Sequence, residues 1–336
     1  MKRIIFIVLT FCLAACSMVK QNVTIHFSQD NLNGLSFREP DETLFVYPVD
    51  SLATVLVVGE KLVVINHKNK NLGIIGVSNI SDTNNWTWAL TRGYNAGQAL
   101  APLLSESDGR IILYDPMLNK IIKIKPDNTA NSDIVDQNEI HINVLTQRIL
   151  PVDQRYLYLN QYSFDGRESR LVWLNADTGQ KEKKHHENHY MNVLNGVVLY
   201  NKEKRVAVFG SEYSPELEFY DSSLRLVKKY VFPNQPSTYM ELKNDDGPNM
   251  FLVQDRHRSF RSASGGENVF AVIYHDEHRQ SDEVLIFNWE GVLRDGFCVS
   301  MEAKRVSLVE DGGSVCVWGR SGDKDVLQKY RICYEE

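Results

Sequence analysis

The chain has 336 residues, 43% of them hydrophobic and 24% charged, so it can bury a sizeable core and lacks the composition of a disordered chain. Its 37 basic and 43 acidic residues give a formal net charge of -6. That balance disfavours nucleic acid as the main partner, because phosphate neutralisation requires clustered Lys and Arg.

The first predicted element is a leader. Lys2 and Arg3 precede the apolar run Ile4-Ile5-Phe6-Ile7-Val8-Leu9-Thr10-Phe11-Cys12-Leu13. A run of about ten residues is too short to span a bilayer, which takes about twenty. Leu13-Ala14-Ala15-Cys16 follows and resembles the bacterial lipobox. The resemblance implies cleavage before Cys16 and acylation of that residue. Ser17 in the next position resembles lipoproteins sorted to the outer membrane, and the absence of an acidic run after Cys16 points to a protein facing the periplasm. An ordinary signal peptide ending near a Cys is the alternative. The expected organisation is a signal peptide over 1–15, a lipidated Cys and tether over 16–40, and one domain over 41–336. Within the tether, Val23-Thr24-Ile25-His26-Phe27 reads as a strand.

A repeat governs the rest. Leu62-Val63-Val64-Ile65-Asn66, Ile111-Ile112-Leu113-Tyr114, Tyr156-Leu157-Tyr158-Leu159-Asn160, Val206-Ala207-Val208-Phe209, Val269-Phe270-Ala271-Val272-Ile273 and Val315-Cys316-Val317-Trp318 occupy the second-strand position of successive hairpins. Their spacing of about 45 to 63 residues lies in the range of propeller blades. Third strands follow, most clearly at 170–174, 216–220, 283–287 and 326–330. Long helical periodicity is absent. The pattern predicts an all-β fold, a six-bladed β-propeller of four-stranded antiparallel blades. Two stacked β-sandwiches are the rival architecture. The last repeat ends after its third strand, so Thr43-Leu44-Phe45-Val46-Tyr47 is predicted to supply its fourth and close the ring. The widest spacing marks an insertion within 233–262.

The chain resembles the TolB-like six-bladed propeller lipoproteins of Gram-negative bacteria. The resemblance rests on the lipobox, on Val49-Asp50-Ser51-Leu52 leading into Glu60-Lys61-Leu62-Val63-Val64-Ile65, and on the loop Thr91-Arg92-Gly93-Tyr94-Asn95-Ala96-Gly97-Gln98. That family tends to carry Gly-Arg-Gly-Pro and an acidic residue in this loop, and the Pro and the acid are missing here. The resemblance implies the propeller and the tether and transfers no activity.

Several segments hold chemistry-bearing side chains. Lys183-Lys184-His185-His186-Glu187-Asn188-His189 is the densest in metal-capable groups, but His185 and His189 pair on a helix and not on a strand. His275-Asp276-Glu277-His278-Arg279 sits in a turn of the fifth repeat, where turn chemistry accounts for the charges. In the insertion, Arg256, His257 and Arg258 are the candidate ligand-binding residues, since paired guanidiniums accept a carboxylate or phosphate. Trp86 and Trp88 share one strand face, suited to packing between blades or to stacking on a sugar. No Gly-x-Ser-x-Gly elbow and no zinc-spaced Cys pair occurs. Lactonase-like propellers hold a channel calcium with Glu, Asn and Asp of inner strands. Asn66, Asp115 and Asn160 lie instead near the ends of second strands, so that ligand set is not recognisable. Of the Cys beyond the leader, Cys316 and Cys333 are the favoured disulfide pair, with free thiols as the alternative.

The expectation is an envelope-anchored binding or scaffold propeller for a periplasmic protein or glycan, held to the membrane by its lipid, with no cofactor and no catalytic residues. The alternative is a calcium-dependent lactonase or esterase. A binding protein predicts charged and aromatic residues spread over one face. A hydrolase predicts acidic and amide side chains converging on the channel.

Overall fold

The computed structural model describes residues 23–48, 52–66, 72–95, 97–126, 134–136, 139–142, 144, 146, 148–159, 171–182, 195–242, 250–255, 257–309 and 313–333. Six antiparallel sheets form the blades of a propeller. Blade 1 consists of Leu52–Val58, Lys61–Asn66, Ile75–Asn79 and Asp82–Ala89, and blade 2 of Leu103–Ser107, Arg110–Asp115, Lys120–Ile124 and Ile140–His141. Blade 3 has Ile149–Val152, Arg155–Leu159 and Leu171–Asn175, and a bridge from Leu174 to Lys181 marks the position of its outer edge. Blade 4 has Gly196–Asn201, Val206–Ser211, Glu216–Tyr220 and Leu226–Val231. Blade 5 has Phe260–Gly265, Val269–Asp276, Ser281–Asn288 and Leu293–Val299, and blade 6 has Glu302–Leu308, Ser314–Ser321 and Lys324–Arg331.

All six second strands fall where the repeat placed them, and alternation explains why they read as unbroken apolar runs. In blade 2, Ile111 and Leu113 pack toward blade 1 with Val63 and Ile65. Ile112 and Tyr114 point the other way and pack toward blade 3 with Tyr156 and Tyr158. Each second strand thus feeds two interfaces, and both of its faces are buried. The remaining interfaces repeat the arrangement. Phe209 joins blade 4 to blade 3, Phe270 joins blade 5 to blade 4, and Val317 joins blade 6 to blade 5. Trp318 and Leu62 complete the circle between blades 6 and 1. Trp86 and Trp88 stack at 5.6 Å at the outer edge of that last interface, beside Phe45.

Turn chemistry sets the register. In blade 2 the inner and second strands meet at Asp108-Gly109, both with positive φ (50° and 68°), as a two-residue hairpin turn requires. At the far end of the second strand, buried Asp115 accepts the backbone N–H groups of Met117 and Leu118 and shapes the next turn. Asp276 does the same for His278 and Arg279 in blade 5.

The ring closes as predicted. Glu42–Pro48 pairs antiparallel with Lys324–Arg331 and supplies the fourth strand of blade 6. The chain ahead of it departs from the expected spacer. Val23–His26 is indeed a strand, but it pairs in parallel with Leu226–Val231 and adds a fifth strand to blade 4. The helix Gln29–Asn33, capped by Ser28, then buries Leu32 against blades 4 and 5. Ser36 and Arg38 bond the backbone of Cys298 on the rim of blade 5. Residues 23–38 are therefore a strap across two blades, and the expectation of a tether up to residue 40 is corrected from Val23 on.

The disulfide expectation is also corrected: no disulfide joins Cys316 and Cys333. Cys316 is buried opposite Lys329, whereas Cys333 is exposed four residues farther along the chain. At about 3.3 Å per residue that offset far exceeds the Cα separation a disulfide tolerates, about 4.4–6.8 Å.

Candidate functional site

The inner strands surround a channel. Their side chains alternate toward the two neighbouring blades. Serines among them tie neighbouring inner strands together. Ser262 and Ser264 accept the backbone N–H groups of Val306 and Leu308, and Ser307 accepts that of Val57. These ties hold the channel wall of blades 5, 6 and 1 in a fixed register.

At the upper face, where the inner strands begin, the channel opens into a cavity of about 370 Å³. Thr54, Glu106, Arg148, Arg261 and Arg305 are among its lining residues. Arg305 reaches from blade 6 across two blades. Its Nη1 donates to Thr54 Oγ1 at 3.1 Å in blade 1, and its Nη2 donates to the Leu104 carbonyl at 3.2 Å in blade 2. Its buried Nε has no hydrogen-bond partner among the described residues. Arg148, at the head of blade 3, donates from Nε to the Gly196 carbonyl of blade 4 at 2.8 Å. Arg261 donates to Asp282 at 3.1 Å.

Electrostatics in the cavity are strained. Burial pulls the Arg305 guanidinium down to about 10, and the charge on Arg148 adds to the effect. Burial also lowers Arg148. Glu106 is pushed up to about 7 by desolvation, against the opposing pull of the Gly109 N–H and the Arg305 charge. The carboxylate beside Arg305 is thus partly protonated near neutral pH, while the acid that acts on Arg148 is Glu212.

Beside this cavity, on the same face, lies a shallower depression lined by His257, Arg258, His275, Glu277 and His278, with Arg261 shared between the two. Two of the sequence candidates, His257 and Arg258, sit here. Arg256 lies outside the described residues, as do the His-rich segment 183–189 and Cys16. His257 is held in place: Nδ1 contacts Glu277 at 2.8 Å, and its backbone is pinned by Ser237. Arg258 Nε stands 3.7 Å from Glu212. His275 Nδ1 contacts Asp282 at 2.8 Å, and Asp282 also accepts the Ala303 N–H. The insertion, with its hairpin Tyr239–Leu242 and Met250–Val253, is therefore anchored to a turn of blade 5 at the channel mouth.

The lower face differs. Its cavity of about 590 Å³ is lined by the inner hairpin turns, including Asp108, Arg110, Asp153, Lys202, Glu203 and Glu267. The charges there largely cancel, with Lys202 2.7 Å and Arg110 3.7 Å from Asp153. Lys202 holds the Asp153 carboxyl below its ordinary value.

Sequence reasoning singled out the insertion loop but not Arg148, Arg261, Arg305 and Glu106. Each is a charged residue in, or at the head of, an inner strand. That position in the repeat is the signal that could have found them. Among the described residues no group of three or more His, Cys, Asp or Glu is placed to hold a metal ion.

No protein-family model and no curated protein matches this sequence. The structure is similar to a candidate exported protein of Bacteroides fragilis, with a TM-score of 0.55 and 9% identity over 93% of this chain and 100% of that one. It is also similar to a member of the DUF4221 family from Bacteroides vulgatus, with a TM-score of 0.52 and 11% identity over 90% of this chain and 98% of that one. At such identities the likeness establishes the propeller fold and nothing finer.

Proposed function

We propose that the protein is an exported envelope lipoprotein, acylated at Cys16 and sorted to the outer membrane, whose TolB-like propeller binds a periplasmic protein or glycan without catalysis. The observation that carries this reading is the makeup of the upper face. Three arginines line the channel mouth, and the anchored insertion extends the charged surface beside it. A calcium-dependent hydrolase needs acidic and amide side chains converging on the channel, and a cavity lined by three guanidiniums is a poor host for a divalent cation. Lipobox, leader and fold neighbours support export, and no described helix is long and apolar enough to cross a membrane.

The test has two readouts. Cys16→Ala should abolish incorporation of a clickable palmitate analogue and release the chain from the membrane fraction; a variant still acylated would overturn the anchor. Mature protein should turn over no ester or lactone in a substrate panel with calcium added, and a glycan array and envelope cross-linking should report partners that Arg258→Ala weakens. Calcium-dependent turnover would replace binding with hydrolysis.

A further inference from the structure

We infer that the cavity at the channel mouth is a binding site for the oxyanion group of a small acidic ligand, a carboxylate or a phosphate, received by Arg148 and Arg305. The inference deepens the binding-propeller reading and rests on it.

Three observations carry it. First, the two guanidiniums come from different blades, 3 and 6, yet line one cavity. Like charges brought together out of bulk water repel, and a fold keeps such an arrangement only at a cost. Second, their donors are underused. Arg305 spends one N–H on Thr54 and one on Leu104, and Arg148 spends only Nε, on Gly196. Neither forms an ion pair among the described residues, whereas Arg261 nearby is paired with Asp282 and Lys304 with Asp325. Each guanidinium keeps N–H groups to spare, and guanidinium donors suit a carboxylate or phosphate. Third, of the two acids that act on the arginines, Glu212 on Arg148 and Glu106 on Arg305, the one lining the cavity is compromised. Glu106 faces Arg305, the Gly109 N–H and Asp108, and desolvation holds it partly protonated near neutral pH, so it does not quench the site. A volume of about 370 Å³ lies at the small end of ligand pockets, suited to a single sugar acid or sugar phosphate.

The hydroxyls and backbone groups around the arginines complete the site. Thr54 already accepts from Arg305, which leaves its own O–H free to donate to a ligand oxygen. The Arg305 contacts to blades 1 and 2 also fix the guanidinium plane before a ligand arrives, which lowers the ordering cost of binding.

The experiment is isothermal titration of the detergent-solubilised full chain at constant ionic strength with three probes on one scaffold: glucuronate, glucose 6-phosphate and glucose. Binding by either or both acids, without binding by glucose, is expected, and the two acids distinguish a carboxylate from a phosphate ligand. Arg148→Gln should weaken the bound acid about tenfold or more, the size of a lost charge-assisted hydrogen bond. Arg305→Lys keeps the charge but loses the fork and should also weaken it, and circular dichroism verifies that each variant is folded. Glu106→Gln should tighten binding at pH 8 and leave it nearly unchanged at pH 5.5, where the native acid is already neutral. Binding of neither acid, equal binding of glucose, or acid binding unchanged in a folded Arg148→Gln variant would overturn the proposal. Those outcomes leave macromolecular partners on the insertion loop intact, so failure here is distinct from failure of the binding-propeller reading.

Discussion

Blades 4 to 6 and blades 1 to 3 are built from the same repeat but are held together differently. In both halves the blades meet through apolar clusters fed by alternate residues of the second strands. Among the described residues, only blades 4 to 6 carry, in addition, a continuous segment of chain along their outer edges. From Val23 to Pro48 it adds a strand to blade 4, caps blade 5 and completes blade 6. Its polar contacts are specific. Arg38 forms a two-pronged pair with Asp295 at 2.8 and 2.9 Å and lies 4.1 Å over the Phe297 ring. Arg279 donates to the carbonyls of Leu32 and Leu35. By contrast, the charged contacts between blades 2 and 3 are exposed, as in Arg110 with Asp153. The difference teaches that one strand is enough to close a ring, and that the rest of the strap fastens the half in which the ring closes.

The largest effect should come from removing residues 23–48. Buried side chains such as Leu32 leave the core, at about 1.5–3 kcal/mol each, and the edge Lys324–Arg331 is left open. A fall in the thermal midpoint, with hydrogen exchange rising first in blades 4 to 6, is expected; an unchanged midpoint would show that the strap is ornamental.

A pH effect should follow. Glu283, fully buried beneath the strap, is pushed up to about 8 from 4.5, first by desolvation and then by Asp276, with Arg279 opposing. Between those pH values the folded state keeps a proton that the unfolded chain has lost. Stability therefore falls as pH rises through that window and levels off above about 8. At about 1.4 kcal/mol per pKa unit the fall is on the order of a few kcal/mol. Glu283→Gln should flatten the midpoint-against-pH curve; the same slope in the variant would assign it to another group.

The smallest and most direct comparison sets Arg38→Ala against Arg110→Ala. The first strands a nearly buried Asp295 and should cost about 1–3 kcal/mol, while the second breaks an exposed 3.7 Å pair and should cost less than about 1 kcal/mol. Equal losses in chemical denaturation would erase the distinction between the two halves.

Legibility in the sequence follows the same division between apolar and polar contacts. Ile111 to Tyr114 could be read at sight because burial on both faces demands an apolar residue at every position. The closing strand could be read because the last repeat lacked one. The strap looks like spacer in the sequence apart from its first strand, since it docks edge-on through few apolar side chains, chiefly Phe27, Leu32 and Leu35. Arg148, Arg261 and Arg305 were invisible for another reason. They converge only after the ring has closed, and each alone looks like a solvated charge. The disulfide misreading came from strand adjacency without register, which places Cys316 opposite Lys329.

The strap has one more consequence, for how the molecule is moored. Val23 is already fastened to the rim of blade 4. Even fully extended, the chain from Cys16 to Val23 reaches at most about 25 Å. The acyl anchor proposed at Cys16 would therefore keep the rim of blade 4 within about that distance of the bilayer, so the propeller could not swing far from the surface that holds it.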